Sequence, residues 1–267
     1  MSDKEIYEVF ALRYGTMDNR TRNDNFIAHD PHDTNMPLDY FIWVIRNENR
    51  TIVVDTGFDH TEAGKRGRVI TRLPREALAM LDIDAGKVED VIVTHMHYDH
   101  AGTLEDFPAA RFHIQEKEMH YVSGRHMCEG VFSHAYTAEH VATMIHRLFE
   151  GRVQFYTGAG EVAPGIEVHL IGGHTMGVQC VRVLTKRGWV ILASDASHFY
   201  ENMEAVSPFP IVYNVADMID GFNTMRRLAG SQQHIVPGHD PRVMQRYPTA
   251  MDSGKDVIVR LDVMPTA

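Results

Sequence analysis

The chain has 267 residues, 44 % apolar and 23 % charged, which suits one large domain or two small ones with a real core. A formal net charge of −10 gives no general pull toward nucleic acid or an anionic membrane, and no apolar run approaches the roughly 18–20 residues needed to span a bilayer. Two cysteines, Cys128 and Cys180, are too few for a disulfide framework, and the opening MSDKEIYEVF has no continuous apolar stretch, so a cytoplasmic protein without a secretory leader is expected. The compositional excess is histidine, at seventeen residues, and histidine is the commonest metal ligand.

In chain order, residues 14–40 hold many Asn, Asp and Pro with little periodicity, and read as a long loop of the kind that covers active sites. FIWVIRNENRTIVVDTG (41–57) reads as a hairpin around Asn47-Glu48-Asn49, ending at Asp55. PREALAMLDI (74–83) starts a helix on a proline, and VEDVIVT (88–94) is a short buried strand ending at His95. RFHIQ (111–115) is a further strand. Residues 116–150 form a helical insert, with HVATMIHRLF (140–149) its clearest amphipathic piece. GIEVHLIGGH then ends at His174, QCVRVLT follows, and GWVILASD ends at Asp195. A helix over 215–229 leads to HIVPGH, a strand ending at His239. Strands mixed with helices in both halves predict a layered α/β fold, sheets inside and helices outside.

The chemistry concentrates in HMHYDH (95–100). In an extended segment residues i and i+2 point the same way, so His95 and His97 can face one point. The chain must then turn, which brings Asp99 and His100 close by. Imidazole with carboxylate and no cysteine suits Zn²⁺ or a related divalent metal, and more than four ligands exceed one tetrahedral zinc. A histidine-rich turn is the plain alternative. Three further strand-end residues, His174, Asp195 and His239, argue against it, because each can converge on one edge of the sheets.

This string, with VDTG (54–57), GGH (172–174), SD (194–195) and PGH (237–239), resembles the metallo-β-lactamase superfamily over nearly the whole chain. The resemblance implies one αβ/βα four-layer sandwich over 1–267: two mixed sheets flanked by helices, with a metal site at one edge. Carried over by position, His95, His97 and His174 would bind a first metal. Asp99, His100 and His239 would bind a second, and Asp195 would bridge them. Two divalent ions are implied, Zn²⁺ first, with Fe, Mn or Co as alternatives. Asp55 would orient a ligand from behind.

Within that superfamily no signal peptide points to a secreted β-lactamase, and only 28 residues follow His239, too few for the helical domain of glyoxalase II. The acidic chain lacks the inserted domains of RNA-cleaving members and the flavodoxin domain of flavo-diiron proteins. THMHYDHAG, and gaps of 21 and 44 positions from His174 to Asp195 and on to His239, resemble the lactonase-like branch, which includes N-acyl-homoserine lactonases and pyridoxolactonase. The resemblance implies hydrolysis of a small lactone or related ester: a hydroxide held between two metals attacks the carbonyl, with Asp99, Asp195 and His198 as the catalytic side chains. His198 marks a departure, since acyl-homoserine lactonases carry tyrosine there; Tyr200 and Tyr213 are alternative holders of that role. Other ester, thioester or phosphodiester hydrolysis remains open, as does a non-catalytic metal-binding protein. No cationic phosphate contact is apparent in the strand-end loops. No nucleic acid or membrane partner is expected, and a homodimer is a possible assembly.

The remaining candidates take structural readings. His113 and His169 pack within strands, and His120, His126, His134, His140 and His146 lie on the surface of the insert. His29 and His32 sit in the cover loop with some chance of touching substrate. RVITR (68–72) and MRR (225–227) are solvated basic patches.

Overall fold

The computed structural model describes residues 4–266. A first sheet contains β1 (Glu8–Met17), β2 (Leu38–Arg46), β3 (Thr51–Val54), β4 (Val69–Ile70), β5 (Asp90–Ile92), β6 (Arg111–Gln115), β7 (Val153–Tyr156) and β13 (Ile258–Arg260). Its strand order is β13-β1-β2-β3-β5-β6-β7, with β4 beside β1. The β13-to-β3 side is antiparallel and the β3-to-β7 side parallel. A second sheet runs β12-β11-β10-β9-β8, built from β8 (Ala159–Ala163), β9 (Ile166–Leu170), β10 (Gln179–Thr185), β11 (Gly188–Ser194) and β12 (Ile235–Pro237). Only β11 and β12 pair in parallel there.

The two-residue period of a strand explains the layers. From β1 and β2, Val9, Ala11, Phe41, Trp43 and Ile45 face the second sheet and meet Val168, Val181, Val183, Val190 and Leu192 in a core between the sheets. The alternate residues Phe10, Leu12, Tyr14, Tyr40, Ile42 and Val44 face the other way, against Ala77, Leu78, Met119 and Met144 of the outer helices. β2 is therefore apolar almost throughout, as a strand buried on both faces must be. The outer face of the second sheet packs Ile191, Ala193 and Ile235 on Met218, Phe222, Met225 and Ala229. These four fall at helical spacing on the helix Val215–Ala229, which Asn214 caps by accepting from the Ala216 and Asp217 N–H groups. Each buried Val, Leu, Ile, Phe or Met among these contributes about 1.5–3 kcal/mol by leaving water. The result is helices, sheet, sheet, helices, the four-layer sandwich expected from the sequence.

Several boundaries differ from the sequence reading: the helix begun at Pro74 ends at Ala79, before Asp82 turns the chain at positive φ, and the strand read over 88–94 spans Asp90–Ile92. The irregular stretch is 18–37, because β1 continues to Met17 and β2 starts at Leu38, which pair directly. Tyr14 and Tyr40 are core residues there, so burial decides the conformation where local periodicity does not. The insert is a series of short helices, Glu116–Val122, Gly130–Ser133 and Ala138–Phe149, with a 3₁₀ turn at Arg125–Cys128. Among the described residues no helix is long and apolar enough to cross a membrane. Cys128 is exposed, Cys180 is buried, and both are free.

Candidate metal centre

The candidate ligands all leave strand ends on one edge of the sandwich. β5 delivers His95 and His97, and the one-turn helix Tyr98–Ala101 carries Asp99 and His100. His174 follows β9, Asp195 follows β11, and His239 follows β12. Two strand ends beside the site adopt positive φ without glycine: Asp55 (61°) and Ser194 (48°). Such backbone is costly and clusters at functional sites. At Gly238 a Cβ would lie 2.7 Å from the Ser194 carbonyl and 3.0 Å from Asp195 Oδ1, so only glycine lets β11 and β12 close around the aspartate.

Seven side chains converge. His174 Nε2 lies 3.0 Å from His97 Nδ1 and 3.1 Å from Asp195 Oδ2, and His95 Nε2 lies 3.7 Å from the same oxygen. On the other side, His239 Nε2 and His100 Nε2 lie 2.9 and 3.2 Å from Asp195 Oδ1, and each is 3.7 Å from Asp99 Oδ2. Asp195 thus turns one oxygen to each donor group, and every member is buried. Four nitrogen or oxygen donors about a zinc ion stand roughly 3.3 Å apart, and these spacings bracket that value. His95 Nε2 and His100 Nε2 are buried with no hydrogen-bond partner among the described residues. Unsatisfied imidazole nitrogens aimed at carboxylates are costly in a protein alone and fit bound cations.

The tautomers agree. His174 Nδ1 lies 2.7 Å from the Ile211 carbonyl oxygen, and His239 Nδ1 lies 2.8 Å from that of Asp39. A carbonyl only accepts, so both rings donate from Nδ1 and present a lone pair at Nε2. His100 does the same toward Asp55 Oδ2 at 2.7 Å. Asp55 in turn accepts from the Thr94 N–H at 2.7 Å and the Thr94 hydroxyl at 2.8 Å. Burial pushes the His95 and His97 pKa values well down, which keeps these rings neutral and ligating. Burial opposes charge on His100 as well, but Asp195, Asp99 and Asp55 outweigh it and raise that group.

His198 occupies the same pocket. Its Nε2 is 3.0 Å from Asp195 Oδ2, and its ring stacks on Phe209 at 3.7 Å with planes 3° apart. Burial, opposed by Asp195, lowers its pKa to about 3. Neither alternative tyrosine lines the cleft over the centre. Tyr200 is buried in the inter-sheet core, and Tyr213 packs on Tyr121, His126 and Phe132.

The cleft encloses about 480 Å³ of free space, its mouth included. Its walls bring residues that the sequence reading did not place there. Arg20 from the 18–37 loop, Arg66 at the end of the helix His60–Arg66 and Arg68 just beyond it line the cleft with Tyr40, Tyr98 and His134. Arg68 therefore faces the cleft instead of forming a solvated patch, and cationic groups do stand near the site. His134 sits exposed at the cleft wall, whereas His29 and His32 are exposed away from it. His113 is held by Tyr156 and Asp90, and His169 by Glu167.

Glu118 also carried no sequence signal. Its buried carboxylate accepts from Met96 N–H (2.9 Å), Gly177 N–H (3.1 Å), the Thr175 hydroxyl (2.6 Å) and the Tyr136 hydroxyl (3.3 Å). Met96 lies between His95 and His97, and Thr175 follows His174. One carboxylate therefore ties together the two segments that supply the first donor group.

A two-sheet αβ/βα sandwich with a His/Asp metal-binding cluster on one edge defines a class of metal-dependent proteins. The family model for the Metallo-beta-lactamase superfamily matches residues 36–246, well over half of the chain, which belongs to that superfamily. An N-acyl homoserine lactonase from a Bacillus species is 27 % identical over 225 residues, covering 78 % of this chain and 82 % of the relative. The solved structure of a quorum-quenching N-acyl homoserine lactone lactonase superposes with a TM-score of 0.74 at 21 % identity, covering 90 % of this chain and 95 % of the other. A probable metal-dependent hydrolase from Staphylococcus aureus superposes at 0.73 with 14 % identity, over 99 % and 97 % of the two chains.

Proposed function

We propose that the protein is a dinuclear metal-dependent hydrolase that opens a lactone, an N-acyl-homoserine lactone or a related cyclic ester. The observation that carries this reading is Asp195, buried between two donor groups with one carboxylate oxygen turned to each. In this reading His95, His97 and His174 hold one ion and Asp99, His100 and His239 the other. Zn²⁺ is the first choice, with Fe, Mn or Co as alternatives. Bound there, the two cations supply a nucleophile from water at neutral pH and Lewis-acid polarisation of the carbonyl.

The protein's own part is positional and protic. Asp195 stands between both donor groups, where its carboxylate can pass a proton from the attacking water to the departing ring oxygen. Asp99 supplies a second carboxylate beside the same point. His198, locked by its stack on Phe209, holds a ring N–H beside Asp195 for the oxygen that gains charge. No side-chain nucleophile is required. The buried Cys180 thiol, pushed up to about 12 by burial, is inert. Arg20 and Arg68 in the cleft favour one second reading, a phosphodiester hydrolase on the same donors.

The test is a panel of lactones, linear esters and bis(p-nitrophenyl) phosphate, with the protein reconstituted in zinc, manganese, iron and cobalt and its metal content counted. Two equivalents per chain with lactone opening, and loss of both turnover and the second equivalent in Asp195→Asn, are expected. Full activity in Asp195→Asn refutes the mechanism. A two-metal protein inert on every ester indicates a binding role.

A further inference from the structure

We propose that Arg20 and Arg68 form an anion-binding subsite in the cleft, and that the lactone opened by this protein carries a carboxylate. The inference rests on the lactone reading above and deepens it by naming the substrate class.

Neither Arg20 nor Arg68 forms an ion pair among the described residues, although both line the cleft. Arg20 Nε donates to Asn25 Oδ1 at 2.8 Å and its Nη2 to the Asp24 carbonyl oxygen. Arg68 Nε donates to the Tyr98 hydroxyl at 3.0 Å and its Nη1 to the Arg66 carbonyl oxygen at 2.7 Å. All these acceptors are neutral. Each guanidinium keeps one terminal nitrogen, Arg20 Nη1 and Arg68 Nη2, with no partner among the described residues. Neighbouring arginines are neutralised: Arg66 by Glu62, Arg22 by Glu201 and Asp30, Arg13 by Asp39. Other arginines such as Arg226 and Arg227 also lack an ion pair, but among the described residues Arg20 and Arg68 are the unpaired ones that line the cleft over the centre. Burial lowers the Arg20 pKa, with Asp24 and Tyr40 opposing it and Arg68 adding to it, whereas burial at Arg68 is outweighed by Tyr40, Tyr98 and Asp99, which raise that group. Two like charges at the wall of a half-closed cleft repel, and an anion between them removes that cost.

Both are held in place. The loop that carries Arg20 is fastened by a two-pronged Arg22–Glu201 pair at 2.9 and 2.6 Å, and by Asn202 Nδ2 donating to the Asn25 carbonyl oxygen at 3.0 Å. Arg68 is anchored through Tyr98, whose hydroxyl also meets that of Tyr40 at 3.1 Å, and Tyr98 lies between the candidate ligands His97 and Asp99. Guanidinium groups with free N–H forks match a carboxylate in shape and charge. A neutral acyl-homoserine lactone brings no such group before its ring opens.

The experiment compares γ-butyrolactone with γ-butyrolactone bearing a carboxylate on the ring, and with the methyl ester of the latter, on zinc-reconstituted protein. The wild type is expected to prefer the carboxylate by about tenfold or more in kcat/KM, the scale of one charge-assisted hydrogen bond. The preference should collapse toward unity in Arg20→Met and Arg68→Met, chiefly through KM, and survive in part in Arg68→Lys. Equal turnover of all three lactones, or a preference that both substitutions leave intact, overturns the proposal. Hydrolysis of bis(p-nitrophenyl) phosphate that needs both arginines, with no carboxylate preference, overturns it in favour of a scissile phosphate. Should no lactone be opened, the lactone reading fails and calorimetry still decides the subsite. Glutarate should bind the reconstituted protein more tightly than monomethyl glutarate, and the difference should vanish in both methionine variants; no difference in the wild type refutes the subsite.

Discussion

Replacing Glu118 by glutamine should weaken the first metal position without touching a ligand. The two carboxylate oxygens divide their donors evenly: Oε1 serves Met96 N–H and the Tyr136 hydroxyl, Oε2 serves Gly177 N–H and the Thr175 hydroxyl. An amide turns one of these oxygens into a donor. The hydroxyl facing it can rotate and accept, but the backbone N–H cannot, so one buried N–H loses its partner whichever way the amide is set. That costs about 1–3 kcal/mol. Burial raises the Glu118 pKa, so removing the charge returns part of this, and a net loss of about 1–2 kcal/mol is expected. Glu118→Ala orphans both N–H groups and should cost about 2–6 kcal/mol. Urea unfolding of the metal-free protein measures the first quantity. Stepwise metal titration should show one of two equivalents weakened about tenfold in Glu118→Gln, as expected when a partner behind the ligands is lost. A glutamine variant with unchanged unfolding midpoint and unchanged titration would refute the account of Glu118 as the tie between the two ligand segments.

Three further perturbations probe separate parts of the molecule. Gly238→Ala drives a methyl against the Ser194 carbonyl and Asp195 Oδ1, and should cost about 1–3 kcal/mol in thermal unfolding together with loss of bound metal; normal metal content would show that the contact yields freely. His198→Phe preserves the stack on Phe209 and removes the polar edge, so melting temperature and metal count should hold while kcat falls about 100-fold, with His198→Tyr recovering part. Unchanged kcat in the phenylalanine variant would leave His198 as a wall of the pocket. Burial opposes ionisation of Glu62, but Lys65, Arg66 and Thr137 outweigh it and hold the carboxyl down to about 2. A carboxylate depressed in the folded state stabilises fully above its ordinary pKa of 4.5 and loses that contribution as pH falls toward 2. The stability gap between wild type and Glu62→Gln, about 1–3 kcal/mol at pH 7, should therefore narrow in urea titrations from pH 5 to 3, and a constant gap contradicts the assignment.

The candidate ligands were legible because each is announced locally. His95, His97, Asp99 and His100 fall within six consecutive positions behind a β-rich run, and His174, Asp195 and His239 each follow a strand recognisable from its own residues. Arg20 and Arg68 were not legible, for a physical reason. An arginine in a polar stretch looks solvated from sequence, and where it points depends on contacts made far along the chain. Arg20 reaches the cleft because its loop is docked through Arg22 on Glu201, 179 positions away. Glu118 has the same character: in HIQEKEMHY nothing separates the buried glutamate from the exposed Glu116, and only the arrival of Thr175 and Gly177 gives it partners. The short strands β4, β7, β8 and β13, of two to five residues, likewise owe their conformation to partners such as β1 and β6 more than to their own sequence.

That division in legibility matches a division of labour in the molecule. Every candidate metal ligand follows the end of a sheet strand, Asp99 and His100 on the one-turn helix after β5, so its position is set by the cores packed on the faces of the sheets. The residues that would meet the rest of a substrate come from elsewhere: Arg20 from the 18–37 loop, Arg66 and Arg68 from the segment around β4, His134 from the insert, Phe209 and Ile211 from the loop before the helix Val215–Ala229. Loops can change while the sheets stay packed, so the chemistry and the choice of substrate are structurally separable. Ile211 is the exception, because its carbonyl also accepts from the Nδ1–H of His174; the matching acceptor for His239 is the carbonyl of Asp39, which lies on β2. Loop changes that leave the Ile211 carbonyl in place should alter which substrate is turned over and leave metal binding intact, whereas changes that move the Ile211 or Asp39 carbonyl should disturb both.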